Sequence, residues 1–347
     1  MMVVMPLDAP GEDIEKVKEK ARSLGLEPRI IVGVERIAVA LTGPTERIEE
    51  KEFYSLNSVI DVVRISKKYK LASRDVKKED TVIRIGDEEI GGSNFTVIAG
   101  PCSIESRESI LEVAAILKEL GIKFLRGGAY KPRSSPYAFQ GLKEKGLEYL
   151  KEAKEKYGIY IVTEAIDTIN LNLVAEVADI IQIGARNMQN YALLQEVGKL
   201  DKPILLKRSF AASIEELLLS AEYILAGGND KVILCERGIR TFETYTRNTL
   251  DLNAVPAIKK LSHLPIIVDP SHGIGIRELV PNMALAAMAC GSDGVIIEAH
   301  KTPEKALSDG HQTINIETLK NLIEKFKMME SVVNKRVNIE LENLCPA

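Results

Sequence analysis

From Phe95 onward, short apolar runs alternate with longer stretches whose apolar residues have mostly helical spacing. Eight such runs recur about every 20 to 35 residues, and each ends in a residue able to take part in chemistry. Strands that alternate with helices predict a parallel sheet, and eight such units predict a (β/α)8 TIM barrel. The runs are FTVIAGPC (95–102), IKFLRGGAYK (122–131), IYIVTEA (159–165), IIQIGARN (180–187), ILLKR (204–208), VILCER (232–237), IIVDPSH (266–272) and GVIIEAH (294–300).

Residues 1–66 follow a different pattern. MVVMP predicts a strand, residues 13–24 have the spacing of an amphipathic helix, and Gly25 is a typical helix stop. Two strands joined by a tight turn, a second helix and a closing strand follow. The order βαββαβ predicts a small ferredoxin-like α+β domain. Since this segment contains no Cys or His, we expect no catalytic cluster in it.

The remaining boundaries follow from changes in composition. Residues 67–80 are charged and predict a linker, and residues 81–92 predict a hairpin that covers the apolar bottom of the barrel. We therefore expect the linker and hairpin over 67–94, the barrel over 95–329 and a C-terminal tail over 330–347. The pattern of the tail does not indicate a particular structure.

Composition narrows the class of protein. The 347 residues carry a formal net charge of −4, which does not favour nucleic-acid binding. Four cysteines without a CxxC pair favour free thiols in a reducing compartment. No apolar run has the length of a membrane span, and the N-terminus lacks signal-peptide features. We expect a cytoplasmic protein.

Four residues of the kind that bind metals lie after neighbouring strands. Cys102 ends the first barrel strand, His272 follows the seventh, Glu298 ends the eighth and Asp309 lies in the next loop. Strands 7, 8 and 1 are consecutive around a closed barrel, so these residues would converge at its mouth. A thiolate, an imidazole and two carboxylates suit a divalent Mn, Fe, Co or Zn ion. Taken alone, Cys102 is more typical of a small core residue and His272 of a loop histidine, but the four residues together favour a metal site.

A second group is cationic and follows strands 2, 4, 5 and 6, on the opposite arc. Converging buried charges must be paired or must meet an anion, and Arg and Lys suit phosphate and carboxylate groups. The alternative is that these residues form a solvated rim. We expect this for Arg208, leave it open for Arg133, and do not expect it for Lys207 or Arg186, each of which follows an apolar run. The group comprises Arg126, Lys131, Arg133, Arg186, Lys207, Arg208 and Arg237.

Other polar residues have more than one interpretation. Glu164 either pairs with a cation or handles a proton, and Asp269 either orients His272 or lies on the rim. Loop 131–141 is rich in donors beside the cationic arc, which favours ligand contact. We expect His263 and His311 at the surface, and His300 fits either place.

Together the motifs GPCSIES, LRGGAYKPRSSPYAFQG, TEA, QIGARNMQN, LLKR, CERGIRTFE, DPSHGIG, IIEAH and ALSDG resemble those of the 3-deoxy-D-arabino-heptulosonate 7-phosphate (DAHP) synthase family over about residues 69–329. The resemblance implies condensation of phosphoenolpyruvate with erythrose 4-phosphate, the first step of the shikimate pathway. Residues 1–66 resemble the regulatory extension of the subgroup that binds an aromatic amino acid. The family is commonly tetrameric, so a homotetramer is expected by analogy.

Carried over by motif, the resemblance assigns roles to individual residues. Cys102, His272, Glu298 and Asp309 would hold the metal. The phosphoenolpyruvate ligands would be Arg126, Lys131, Arg186, Lys207 and Arg237, and the sugar phosphate would contact Arg133, Ser134 and Ser135. Lys131 would protonate the aldehyde oxygen, and Glu164 would position the attacking water.

Two alternatives compete with this interpretation. The sister enzyme that makes 3-deoxy-D-manno-octulosonate 8-phosphate from arabinose 5-phosphate typically has KANRSS where this chain has KPRSS, and it usually lacks an N-terminal domain. A non-catalytic amino-acid-sensing barrel would not need complete metal and cation groups. In the tyrosine-binding subgroup the strand after the first helix carries a histidine and a hydroxyl residue, whereas this chain has Arg29 and Ile31, so the effector stays open.

Overall fold

The computed structural model describes residues 1–45, 48–64, 68–133 and 135–339. The chain divides into two compact units. The first comprises Met1–Asp80 with Lys260–His263, and the second comprises Thr81–Lys259 with the chain from Leu264 onward. No helix in the described ranges is long and apolar enough to cross a membrane.

The first unit is a small antiparallel sheet with helices on one face. Its elements are β1 (Met2–Pro6), α1 (Gly11–Ser23), β2 (Glu27–Val32), β3 (Arg36–Thr42), α2 (Lys51–Tyr54) and β4 (Asp61–Val63). In sheet order β2-β3-β1-β4, every neighbouring pair of strands is antiparallel, as a ferredoxin-like fold requires. Val3, Met5 and Phe53 lie in the core between sheet and helices, whereas Met2 and Val4 face the other side, as the period of two in a strand predicts.

The second unit is a closed parallel barrel of eight strands, so the predicted fold class is confirmed. Neighbouring strands pair in parallel throughout, and the last pairs with the first, with Gly294 opposite Thr96 and Glu298 opposite Gly100. The strands are β7 (Asn94–Gly100), β8 (Phe124–Arg126), β9 (Tyr160–Ala165), β10 (Ile180–Ile183), β11 (Ile204–Lys207), β12 (Val232–Glu236), β13 (Ile266–Val268) and β14 (Gly294–Glu298).

Helices connect the strands, and local signals define where several begin and end. Ser106 caps the first of them, and Ser213 with Glu216 forms a capping box at another. Gly158 and Gly228 end two helices in the left-handed conformation. The helices are α3 (Arg107–Glu119), α4 (Glu144–Tyr157), α5 (Leu171–Val177), α6 (Tyr191–Val197), α7 (Ile214–Gly227), α8 (Ala254–Leu261), α9 (Pro270–Ile274), α10 (Val280–Ala289) and α11 (Ile316–Val333).

An antiparallel hairpin of β5 (Ile83–Ile85) and β6 (Glu88–Ile90) precedes the barrel. Ile83, Ile85 and Ile90 are buried in one apolar cluster with residues of the barrel strands, including Ile98 and Phe124. The hairpin therefore contributes apolar surface to the barrel core. At the other end of the chain, α11 extends to Val333, and β15 (Arg336–Val337) pairs in parallel with the start of β7.

One glycine allows the chain to pass closely at the barrel mouth. Gly100 ends β7 with φ +146°, and a Cβ there would lie 2.1 Å from the backbone oxygen of Arg126 on β8. Any side chain would force these two strands apart. This close approach places the segment after β7, which carries Cys102, against the end of β8.

We predict that Ile90→Ala lowers the free energy of unfolding of the barrel by about 2–5 kcal/mol, because it leaves a cavity in the core beneath the barrel. Val82→Ala is the matched control, since Val82 in the same segment is 41% exposed and its loss should cost less than about 0.5 kcal/mol. Urea denaturation measures both. Equal stabilities of the two variants would show that the hairpin is not part of the core.

Candidate active site

The four predicted metal ligands meet at the carboxyl ends of β13, β14 and β7. One ligand atom from each of Cys102, His272, Glu298 and Asp309 lies within 4.8 Å of all the others. Cys102 and Glu298 are fully buried, whereas His272 and Asp309 border open space. The thiol Sγ of Cys102 is 3.2 Å from Oδ2 of Asp309, and Nε2 of His272 is 3.3 Å from Oε1 of Glu298. Barrel closure thus brings together residues that are up to 207 positions apart.

The electrostatics of this group suit a divalent cation. Burial and the neighbouring Glu298 raise the pKa of the Cys102 thiol to about 12. Burial lowers the pKa of His272, which favours the neutral imidazole. Burial alone would raise the pKa of Glu298, but the protonated form of His272 together with Arg126 and Lys131 lowers it to about 2. Two carboxylates, a neutral imidazole and a thiol that a metal would deprotonate form a donor set for a borderline first-row ion.

Neighbouring side chains hold these ligands in place. Gln312, wholly buried, donates a hydrogen bond of 2.6 Å to Oε2 of Glu298, and Arg126 donates one of 2.9 Å to Oε1. Ser308 donates to Sγ of Cys102 at 2.8 Å. Asp309 has φ +52°, an uncommon backbone conformation for a non-glycine residue. The ligand group is therefore oriented before any ion binds.

A cationic cavity of about 290 Å³ opens beside the metal-ligand group. His272 and Asp309 are part of its wall, so the two groups of residues share one space. The predicted residues that line it are Lys131, Arg133, Ser135, Glu164, Arg186, Lys207 and Arg237. Ser134 lies outside the described residues.

Arg237 indicates what the cavity accepts. It is 5% exposed, and burial lowers the pKa of its guanidinium. Its Nη1 has no hydrogen-bond partner among the described residues. A buried cation with an unused donor is costly unless an anion completes its coordination. The cavity is accordingly built for an anionic small molecule.

Arg126 and Lys131 both contact the metal-ligand group. Arg126 is bound to Glu298 and is not among the described residues that line the cavity, although its Nε lacks a hydrogen-bond partner there. The Lys131 ammonium donates to the backbone oxygen of Cys102 at 3.0 Å and to its Sγ at 3.1 Å. Lys131 therefore lies between the ligand group and the anion cavity.

Glu164 lies on β9 in the cavity wall. It is 8% exposed and accepts a hydrogen bond of 3.1 Å from Gln182 on β10. Its carboxylate occupies the space next to Gly184, where any Cβ would lie 2.1 Å from Oε1. Glycine at this position gives the carboxylate its room.

Three sequence-based expectations about burial were wrong. Arg208 does not lie on a solvated rim; it is 5% exposed and binds Glu236 and Asp251. Arg186 lines the cavity but is solvent-exposed, because the chain turns into a 3₁₀ turn directly after β10. His263 is also buried, with Nε2 2.7 Å from the backbone oxygen of Leu71.

The structure adds residues that the sequence analysis missed. Arg240 and Arg247, from the loop after β12, line the cavity, and so does Phe210. The guanidinium of Arg240 stacks 4.6 Å from the Phe210 ring centroid, and that of Arg237 lies 5.7 Å away. Arg247 donates to Gln312 at 2.7 Å. The only signal in the sequence was the repetition of arginine after VILCE.

A TIM barrel with a metal-type donor set and an anion cavity at the carboxyl ends of its strands defines a barrel enzyme. Residues 59–335 match the model of the DAHP synthetase I family, and residues 1–67 match the DAHP synthase ferredoxin-like domain. The chain belongs to the DAHP synthetase I family. It is an enzyme with DAHP synthase activity, the first step of the shikimate pathway.

The similar proteins carry two names, and the more similar of them agree with this assignment. The phospho-2-dehydro-3-deoxyheptonate aldolase of Thermotoga maritima is 55% identical over 97% of this chain and 100% of its own length. A crystal structure under that name from the same organism has a TM-score of 0.78 and covers 97% of this chain and 98% of its own. A 2-dehydro-3-deoxyphosphooctonate aldolase of Francisella tularensis is 30% identical over 75% of this chain and 100% of its own length.

We predict that Cys102→Ala and His272→Ala each weaken Mn²⁺ binding by roughly 100-fold or more, because three remaining donors hold a divalent ion poorly. Equilibrium dialysis of chelator-treated protein measures this. Lys207→Ala is the control: it removes a cavity cation outside the ligand group, so Mn²⁺ affinity should not fall. Near-normal affinity in both ligand variants would contradict the four-residue assignment.

Proposed function

We propose that phosphoenolpyruvate and D-erythrose 4-phosphate react in the cationic cavity to give 3-deoxy-D-arabino-heptulosonate 7-phosphate and phosphate. The observation that carries this proposal is the shared space: the metal-ligand group and the cation-lined cavity have His272 and Asp309 in common. Two anionic substrates and one polarised carbonyl need such a site.

The metal would be held by Cys102, His272, Glu298 and Asp309. A bound divalent ion would supply Lewis-acid polarisation of the aldehyde oxygen. The mixed thiol, imidazole and carboxylate donor set suits Mn, Fe, Co or Zn, and it would disfavour Mg or Ca, which prefer oxygen ligands.

Phosphoenolpyruvate would be bound by the cavity cations. Lys207 and Arg237 are buried at the ends of β11 and β12, and Arg186 lies on the wall after β10. The unused donors of Arg237 and Arg126 support direct contact with the phosphate or carboxylate. Lys131, fixed between the two groups, would contact phosphoenolpyruvate on the side facing the metal.

The sugar phosphate would bind at the rim formed by loop 131–141. Arg133 and Ser135 line the cavity from this loop, and Ser134 belongs to the same proposed contact although it lies outside the described residues. Gln140 donates to the backbone oxygens of Ser135 and Ala138, which closes the loop on itself. A rim of this kind sets the length of sugar that fits.

The chemistry then uses few groups of the chain. C3 of the enol attacks the aldehyde carbon, and the aldehyde oxygen takes a proton from Lys131. Positive charge develops at C2, water adds there, and the resulting hemiketal phosphate collapses to the ketone with release of phosphate. Glu164, with its carboxylate fixed by Gln182, would orient the water and accept its proton.

We predict that turnover requires a divalent metal and that erythrose 4-phosphate is much preferred to arabinose 5-phosphate. Initial rates of phosphoenolpyruvate consumption with each sugar, with and without chelator, test both parts. Undiminished turnover after complete metal removal would contradict the metal's role. A preference for arabinose 5-phosphate would favour the octulosonate reaction instead.

The first unit is proposed to bind an aromatic amino acid that inhibits the enzyme, and the assembly is proposed to be a homotetramer. Within this unit, a cavity of about 420 Å³ is lined by apolar residues of the sheet, by the charged Glu35, Arg36 and Asp61, and by the segment 75–79. Ile31 forms part of its wall. Because Arg29 and Ile31 replace the histidine and hydroxyl residue of the tyrosine-binding subgroup, tyrosine and phenylalanine are equal candidates.

We predict that a protein beginning near Lys70 folds and keeps catalysis but loses inhibition, because none of the proposed catalytic residues lies in residues 1–69. A solved truncated form of the Thermotoga maritima enzyme is 56% identical to this chain and covers 78% of this chain and 99% of its own length. This structure supports independent folding of the barrel. Initial rates against each aromatic amino acid measure the effect. Inhibition that survives truncation would place the effector on the barrel.

A further inference from the structure

One buried carboxylate joins the two parts of the active site. Asp269 follows β13, is fully buried, and lies between Lys207 of the anion cavity and His272 of the metal-ligand group. Its Oδ1 accepts the backbone N–H of His272 at 3.0 Å and caps α9. Because Oδ1 accepts this capping hydrogen bond, Oδ2 is the oxygen that contacts the side chains of Lys207 and His272.

Nitrogen atoms of both side chains lie within hydrogen-bonding distance of the same oxygen. The ammonium of Lys207 lies 2.5 Å from Oδ2 and donates to it. Nδ1 of His272 lies 2.8 Å from Oδ2, yet it makes no aligned hydrogen bond to any described residue. The distance is short enough for a hydrogen bond, but the direction of the imidazole nitrogen is unfavourable in the arrangement in which Oδ2 accepts from Lys207.

We propose that Asp269 is a positioning residue that couples phosphoenolpyruvate binding to metal binding. In the unliganded enzyme its Oδ2 accepts a hydrogen bond from Lys207, and when the anion binds, Oδ2 accepts one from His272 instead. The inference rests on the proposed function, which places phosphoenolpyruvate on Lys207 and the metal on His272.

The direction of the coupling follows from hydrogen-bond chemistry. A phosphate or carboxylate group draws the Lys207 ammonium toward itself and away from Asp269. The released oxygen then accepts the Nδ1–H of His272, which fixes the tautomer with Nε2 unprotonated and makes that nitrogen a stronger donor to a metal. Phosphoenolpyruvate should therefore tighten metal binding.

Coupling of this kind is reciprocal. The factor by which phosphoenolpyruvate raises metal affinity must equal the factor by which metal raises phosphoenolpyruvate affinity. Couplings between sites are typically about 5- to 150-fold, so we expect the dissociation constant of Mn²⁺ to fall at least fivefold. For the enzyme this would favour loading of both before the aldehyde enters.

Direct attraction between the anion and the ion would also raise metal affinity, and one variant separates the two causes. Asp269→Asn keeps the size of the side chain and an oxygen that caps α9, but it removes the shared charge. The direct attraction survives in this variant, whereas the exchange between Lys207 and His272 does not. Ser271→Ala is the matched control, because Ser271 contacts the backbone N–H of Glu298 at 2.9 Å on the metal side only.

The experiment is equilibrium dialysis of Mn²⁺ against chelator-treated full-length enzyme, with and without phosphoenolpyruvate. We expect a coupling factor of at least fivefold in the wild type and in Ser271→Ala, and a factor reduced severalfold in Asp269→Asn. Unchanged coupling in Asp269→Asn, or independent binding of Mn²⁺ and phosphoenolpyruvate in the wild type, would overturn this inference but not the proposed function. Failure of the wild type to bind either ligand would instead overturn the proposed function.

Lys207→Met tests the same exchange if Asp269→Asn does not fold. Without the ammonium, Oδ2 is released permanently, so Mn²⁺ affinity in the absence of phosphoenolpyruvate should exceed that of the unloaded wild type. A Mn²⁺ affinity equal to that of the unloaded wild type would contradict the proposed exchange.

Discussion

Buried carboxylates held by buried cations are the interaction on which this active site depends. Glu298 and Asp269 are both fully buried, and each is in contact with a cation, Arg126 in one case and Lys207 in the other. Burial alone would raise the pKa of both carboxyl groups, yet neighbouring positive charge lowers both. A carboxylate kept ionised in this way costs stability, but it provides a fixed negative charge at the barrel mouth.

Barrel closure turns this interaction into a site. The pairing of β14 with β7 brings Glu298 beside the segment that carries Cys102. Arg126, at the end of the adjacent β8, donates hydrogen bonds to Glu298 and to the backbone oxygen of Cys102. The candidate metal ligands therefore occupy the arc of β13, β14 and β7, and most of the cations that we propose to bind anions occupy the arc from β8 to β12. Asp269, directly after β13, contacts one residue of each arc, Lys207 and His272.

The sequence was most informative where a side chain directly follows a strand. Cys102, Glu298 and Lys207 could be placed because parallel strands of a barrel end at one mouth. Arg208 could not, since one further residue turns the side chain to the other face, where Glu236 and Asp251 bind it. Arg240 and Arg247 lie in a loop without periodicity, so only the folded loop shows that they reach the cavity.

Anomalous diffraction from crystals soaked with Mn²⁺ and phosphoenolpyruvate would locate both groups in one experiment. We expect one metal peak within bonding distance of Cys102 Sγ, His272 Nε2 and carboxylate oxygens of Glu298 and Asp309. We also expect phosphoenolpyruvate beside the metal, bound to Lys207 and Arg237. A metal peak elsewhere, or phosphoenolpyruvate bound away from these cations, would show that the proposed active site is wrong.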